Sequence, residues 1–373
     1  MLKKLIALLL CLLLTVPALA ETAVEDRGLD LLGSSVRYPY LTEADEAVNA
    51  LLIEQSGVGG YLDRLSLLAG GDASLTVTYR VRCNEGGIFS CAFFAEGALE
   101  TTRVTNAWTA VNLDMETGES VTLNDLFTDP EAAAAWLEAY LEEEVGPALS
   151  PHLLNSDITP LPETFTVDCA GITFYYPVEQ LRLLSDRAGA VQVAWYQLRD
   201  FLRLGEGTVL ERIGAEAMLG DIDGDAIAAW LEKGTLPGLP VSLGDSLQDA
   251  TDTWKMLNDN DMITGARVFE LEDAAFRDVL LLTDTLTEDW DNSLILGIRA
   301  GRIDFCGLIT GETTLDAWRA ALGEPDATLT LDETEAADQR LTAGTSDYYV
   351  LGGRRLRLHA DETGVLQCVQ ISD

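Results

Sequence analysis

The stretch SLTVTYRVRCNEGGIFSCAFFAEG, residues 74–97, commits the chain to antiparallel sheet. Leu75, Val77, Tyr79 and Val81 alternate with polar residues, which places them on one face of a strand. Gly86-Gly87 supplies a tight turn, the run from Gly87 to Gly97 answers the first strand, and TNAWTAVNLD, residues 105–114, adds a third. Cys83 and Cys91 flank NEGGIFS symmetrically, which makes them a candidate cross-strand disulfide, with all cysteines reduced as the alternative.

Helices bracket the meander. VRYPYLTEADEAVNALLIEQ, residues 36–55, reads as a short strand and then a helix with Thr42 as N-cap and Ala47, Val48, Leu51 and Leu52 inward. In NLDMETGESVTLNDLF, residues 108–114 and 119–123 are expected as strands, METG as the turn, and LNDLF as the entry to the next element. Asp129-Pro130 is a cap followed by Pro in the first turn, launching a helix that carries Ala134, Leu137, Tyr140 and Leu141 inward. TFTVDCAGITFYYP and AVQVAWYQLRDFL are two further strand runs.

The order of these segments over residues 34–203, with the DxxTGxxxxLxDLF motif from Asp114 to Phe127, resembles the extracytoplasmic domain of RsiV-type anti-sigma factors. The same module precedes the catalytic domain of PdaC-type peptidoglycan deacetylases. The resemblance implies a noncatalytic α+β binding module, which in RsiV-type proteins captures lysozyme. Two departures limit it. AEGALETTRVTN stands where the family often carries a Gly-Gly-Ala-His segment, and neither a sigma-binding segment nor a deacetylase domain is recognisable. Sigma regulation and deacetylation are therefore not carried over.

Residues 205–236 read as a helical acidic linker. Within it, Asp221, Asp223, Asp225 and Glu232 occupy positions 1, 3, 5 and 12 of an EF-hand loop, a spacing that offers hard oxygen ligands to calcium. Against this, Ala226 stands where the loop requires Gly, so an acidic helix cap is the competing reading. From Pro237 the chain repeats itself: VSLGDSLQDATDTWKML and LITGETTLDAWRAALGEP share a Gly, an acid, Ser or Thr, and a helix with a Trp, each followed by strands. Residues 237–373 resemble the tandem helix-on-sheet repeats of β-lactamase-inhibitor-protein-like and SmpA-like proteins, which implies binding of other proteins or envelope components. Trp254 and Trp318 are expected in the core. Cys306 and Cys368, both in strand-like runs, form a second candidate disulfide, and Arg354, Arg355 and Arg357 mark either carboxylate pairs or a contact surface.

The address comes from MLKKLIALLLCLLLTVPALA, a secretory signal with cleavage expected after Ala20. Its apolar run is too short to span a bilayer, and no later segment is longer, so a secreted, surface-associated protein is expected. The formal charge is −38, and after the signal only Lys233 and Lys255 remain as lysines. Such a chain repels nucleic acid and anionic lipid; its acidity either serves solubility or salt adaptation or reflects GC-rich codon usage, or else it favours a cationic partner.

Catalytic motifs are missing from the sequence. His152 and His359 are expected as ordinary surface residues, and no HExxH helix, GxSxG elbow or Walker loop occurs. The expectation is an α+β protein of two domains, residues 21–204 and 237–373, each with helices packed on mainly antiparallel sheet. Its function is expected to be noncatalytic binding, without a cofactor unless the acidic loop takes calcium. The ligand would be an extracellular protein, cationic and lysozyme-like, or peptidoglycan. The alternatives are a peptidoglycan-acting hydrolase built on an unrecognised carboxylate pair, or an inhibitor of a secreted enzyme.

Overall fold

A computed structural model describes residues 22–31, 33–67, 74–99, 102–146, 161–176, 189–254, 256–257, 262–263, 265–271, 276, 278–284 and 293–373. The expected signal segment, Cys11, His152 and Lys255 lie outside them. The architecture is mixed α+β, with helices on several antiparallel sheets that form more than one sheet-based body.

The first sheet takes its strands in chain order: β1 (Val24–Leu31), β2 (Ser34–Leu41), β3 (Thr76–Glu85), β4 (Ile88–Leu99), β5 (Thr102–Asp114) and β6 (Glu119–Ser120). Between β2 and β3 run the helices α1 (Glu46–Ser56) and α2 (Val58–Leu67), and this crossover makes β2 and β3 parallel. Helix α1 is entered from Asp45, not Thr42, and it turns Val48, Asn49 and Leu52 inward. Asn49 earns its place by bonding both backbone groups of Leu41, at 2.8 and 2.9 Å.

The DxxTGxxxxLxDLF motif proves to be local scaffolding. Asp114 Oδ1 accepts from the amides of Glu116 and Thr117, closing the turn, and Arg212 pairs with the same carboxylate at 2.7 Å. Asp125 accepts from the Thr122 amide at 2.8 Å, which starts α3 (Leu123–Leu126) where a longer strand was expected. Asp129 caps α4 (Pro130–Tyr140), whose buried residues are Ala133 and Leu137, with Leu141 following; Ala133 replaces the expected Ala134.

The second sheet, β7 (Phe165–Val167), β8 (Gly171–Tyr175) and β9 (Ala190–Ala194), lies against the opposite face of the first from α1 and α2. Ser90 accepts from the Val167 amide at 3.0 Å and donates to Asn112, which reaches the Phe165 carbonyl at 2.8 Å. One hydrogen-bonded chain thus ties the two sheets.

Residues 205–236 form α5 (Val209–Arg212), α6 (Ala215–Met218) and α7 (Gly224–Lys233), and they do not behave as a separate linker. Val209, Leu210, Ile213 and Ala215 belong to the core beneath the second sheet, whereas Met218, Ile227, Leu231 and Leu236 belong to the core of the following region. The segment is divided between two cores and fastened to both.

The C-terminal repeats build one nine-stranded sheet. The first contributes α8 (Leu247–Trp254), β10 (Met256–Leu257), β11 (Met262–Ile263), β12 (Ala266–Leu271), β13 (Val279–Thr283) and β14 (Gly297–Ala300). A two-stranded ribbon, β15 (Asp304–Phe305) and β16 (Leu308–Ile309), precedes the second repeat. That repeat comprises α9 (Leu315–Leu322), β17 (Ala327–Leu331), α10 (Glu333–Ala337), β18 (Gly344–Leu351), β19 (Arg354–Asp361) and β20 (Leu366–Ser372). The main path is β10-β12-β13-β14-β20-β19-β18-β17, a palindrome in which each repeat offers its last strand to the other. Ile298, Leu356, Leu358, Val369 and Ile371 face the helices, with Trp318 of α9 fully buried among them. The side chain of Trp254 lies outside the described set.

Candidate functional site

A cleft of about 330 Å³ opens where the β3–β4 hairpin, the β7–β8 turn and the end of α7 converge. Its floor is the ion pair between Arg82 and Asp168 at 2.7 Å. The Asp168 carboxylate also accepts from the amides of Ala170 and Gly171, at 2.8 and 3.0 Å, and its backbone carbonyl accepts from the Trp195 indole at 2.8 Å. Burial pushes the Asp168 carboxyl up, and Arg82 opposes that push. The Arg82 guanidinium lies over the Phe276 ring, 4.6 Å from its centroid, so an aromatic plane covers it on one side.

The wall is completed by Trp230, half-buried, with the Lys233 ammonium 4.4 Å above its ring. Lys233 is one of the two lysines beyond residue 20, and it is placed here. Asn84 donates to the Thr22 carbonyl, which leaves its Oδ1 without a hydrogen bond. Gly238 lets the loop after α7 approach: it has φ +73°, and a Cβ there would stand 2.8 Å from that of Ala170. Two thiols, Cys83 and Cys169, border the cleft; burial drives the first up to about 12 and the second well above its ordinary value. Both are protonated at neutral pH. The cleft, which Glu85 also lines, can hold a polar ligand against an aromatic wall and a cation, and neither Asp168 nor the two thiols are poised as nucleophiles.

Other sequence-based candidates are distributed differently. Cys83 and Cys91 are both free, and the hairpin register explains it: the two-residue turn at Gly86-Gly87 pairs Cys83 with Ser90, and a bulge beyond that pair sets Cys91 opposite Val81, with Val111 on its other side. Cys83 faces the core under the second sheet and Cys91 the core under α1 and α2. Cys306 and Cys368 are likewise free. Cys306 sits at a left-handed turn with its sulfur 3.8 Å from that of Met218, on the helix side of the large sheet, while Cys368 lies on the other side beside Arg299.

The acidic loop does not gather into a calcium site. Asp223 caps α7, accepting from the amides of Asp225 and Ala226 at 2.9 and 3.0 Å, and Glu232 lies in the last turn of that helix. Among the described residues, no group of three His, Cys, Asp or Glu side chains is placed to hold a metal. The helix-cap reading is the one that the geometry matches.

His359 is fully buried, against expectation. Its Nε2 meets the Thr342 carbonyl at 2.9 Å and so carries the proton; Nδ1 accepts from the Ser346 hydroxyl at 2.9 Å. Burial pulls its pKa down, keeping the ring neutral. Of the arginines singled out, Arg354 pairs with Asp373, Arg355 is exposed, and Arg357 is buried.

The cleft residues Arg82, Asp168 and Phe276 carried no sequence motif; the scarcity of lysine was the one signal pointing to Lys233. Among the described residues, no helix is long and apolar enough to cross a membrane. No family model and no curated protein matches the chain. Among solved structures it is similar to a DUF3298 family protein from Pseudomonas aeruginosa PAO1, at 10% identity and a TM-score of 0.40, over 49% of this chain and 94% of that one. It is also similar to a DUF3298 family member from Bacteroides fragilis NCTC 9343, at 17% identity and a TM-score of 0.35, over 52% of this chain and 95% of that one. A DUF4309 family protein from Bacillus subtilis subsp. subtilis str. 168 matches at 13% identity and a TM-score of 0.29, over 42% of this chain and 95% of that one. The structural neighbours of this chain are thus DUF3298 and DUF4309 family proteins, at low identity and over part of its length.

Proposed function

We propose that this chain is a secreted, noncatalytic binding protein of the bacterial cell envelope, with the Arg82–Trp230–Lys233 cleft as its ligand site. The observation that carries this reading is the state of the cleft's reactive groups. Asp168 is bound by Arg82 and two amides, and burial holds both thiols protonated, so these three lining groups serve recognition and are not activated. A tryptophan plane beside an ammonium suits a cell-wall glycan with its attached carboxylates.

A second reading takes a protein as the ligand. The charge of −38 favours it, because so acidic a surface attracts a cationic partner such as lysozyme.

The test is retention of residues 21–373 on purified peptidoglycan and on immobilised lysozyme, at low and at physiological salt. Retention on peptidoglycan that survives physiological salt and is lost in Trp230→Ala supports the cleft. Lysozyme binding that survives both the salt and Trp230→Ala moves the ligand to another surface, whereas binding lost with salt alone reports charge attraction. Release of soluble peptidoglycan fragments would overturn the noncatalytic reading in favour of a carboxylate hydrolase.

A further inference from the structure

The face of the nine-stranded sheet turned away from α7 and α9 carries charge where a core would be expected. Register puts Leu280, Arg299, Gln370, Arg357 and Tyr348 in one row across β13, β14, β20, β19 and β18. Arg299 is 4% exposed and Arg357 is 6% exposed. Adjacent strands are about 4.8 Å apart, so the two guanidinium stems, with Gln370 between them, stand roughly 10 Å apart.

The segment that follows α10 crosses this face and supplies neutral partners only. Arg299 donates to the Gln370 side chain at 3.0 Å and to the Gln339 carbonyl at 2.6 Å. Arg357 donates to Ser346 at 3.0 Å and to the Gln339 side chain at 2.8 Å, its guanidinium lies 5.5 Å from the centroid of the Tyr348 ring, and its Nη2 has no hydrogen-bond partner. Among the described residues, no carboxylate pairs with either arginine, in a chain that holds 62 acidic residues. The Cys368 thiol beside them is not their counter-charge, because burial raises its pKa and keeps it neutral. His359 is neutral too. Two desolvated cations without an anion are costly, and they persist where something negative is bound or can enter.

An entrance exists. A cavity of about 490 Å³ lies between the sheet and the crossing segment, lined by the buried Arg299 and Cys368, the half-buried Leu280, Leu341 and Gln367, and the exposed Thr342. Its other charged lining groups are already engaged: Asp278 with Arg302 at 3.3 Å, and Arg340 with Glu270 at 3.5 Å. The Nη2 of Arg299 makes none of that residue's hydrogen bonds.

We infer that this cavity is a binding site for a small oxyanion, a carboxylate or phosphate group, received by Arg299 with the Arg357 charge behind it. The site is separate from the Trp230 cleft, so it stands or falls independently of the proposed function. With Nε and Nη1 engaged, the Nη2 of Arg299 is left to donate a charge-assisted hydrogen bond to an oxygen of a carboxylate or phosphate. The aliphatic sides favour an organic acid with a short apolar body.

The experiment is calorimetric titration of residues 21–373 with isobutyrate, acetate and inorganic phosphate at constant ionic strength set with chloride, paired with thermal midpoints. Saturable binding of any of the three above the chloride background is expected, at least ten-fold weaker in Arg299→Gln and in Leu341→Trp, which narrows the cavity without touching either arginine. Carboxylate binding in preference to phosphate identifies an organic acid, and the reverse preference a phosphate source; both support the site. If Arg299→Gln does not fold, Leu341→Trp decides. No binding above chloride, or binding unchanged in a folded Leu341→Trp, overturns the inference.

Discussion

Arg82 and Asp168 meet at 2.7 Å with side chains 1% and 4% exposed, and this pair pins the β3–β4 hairpin to the turn that opens β8. Removing one partner leaves the other charge buried. Arg82→Ala is therefore expected to cost about 3–5 kcal/mol in unfolding free energy, while Arg82→Met with Asp168→Asn recovers much of that loss. Urea denaturation of the three proteins measures it, and a single variant as stable as the parent would show that the pair is not a structural anchor.

Asp347 is the corresponding anchor in the C-terminal sheet. It accepts from Arg319 at 2.7 and 2.8 Å, from Thr328 at 2.7 Å and from the Trp318 indole at 3.0 Å. Burial pushes its carboxyl up, but the bonds from Arg319, Thr328 and Trp318 prevail and hold it below the ordinary value. A lowered folded pKa contributes stability above the unfolded value of about 3.9 that is lost as pH falls through the folded one. Asp347→Asn should cost on the order of 2 kcal/mol at pH 7. The difference should shrink below pH 4, as followed by chemical denaturation at both pH values.

Asp304 titrates in the opposite sense. Neither carboxylate oxygen has a hydrogen-bond partner, and burial raises the group to about 8. The folded state therefore keeps a proton that the unfolded chain has released, and stability falls as pH rises from about 4 to 8. At pH 7 the penalty is on the order of 4 kcal/mol. Asp304→Asn should raise the thermal midpoint at pH 7 and converge on the parent near pH 4. An equal effect at both values would refute the assignment.

The five described cysteines are free and buried, with Cys83 and Cys306 both driven up to about 12 by burial. An aromatic disulfide reagent should find essentially no reactive thiol in the native protein and five in denaturant without reductant. A count of three or one would report disulfides.

Much of the sheet architecture was legible in the sequence because alternation and glycine turns are local signals. The hairpin at Gly86-Gly87 and the cap at Asp129 were readable for that reason. Strand β1 was not, since VEDRGLDL is mostly exposed and carries little apolar contrast. The disulfide expectation at Cys83 and Cys91 failed on register: the turn at Gly86-Gly87 pairs Cys83 with Ser90, so Cys91, one residue further on, turns to the other face. His359 alternates as a surface residue would, and only the segment crossing the second face, distant in pattern from β19, buries it. The cleft was illegible for a related reason: its residues come from hairpin, turn and helix end, brought together by tertiary packing alone.

The palindromic order of the large sheet places β20 between β14 and β19, so the strand latest in sequence is the seam on which both repeats close. Neither half can complete its pairing from residues already synthesised. Each must wait, one edge unpaired, for Leu366–Ser372 to arrive. Assembly of this region is therefore governed by a long-range closure late in synthesis, and until then the unmatched edges of β14 and β19 need protection from other chains.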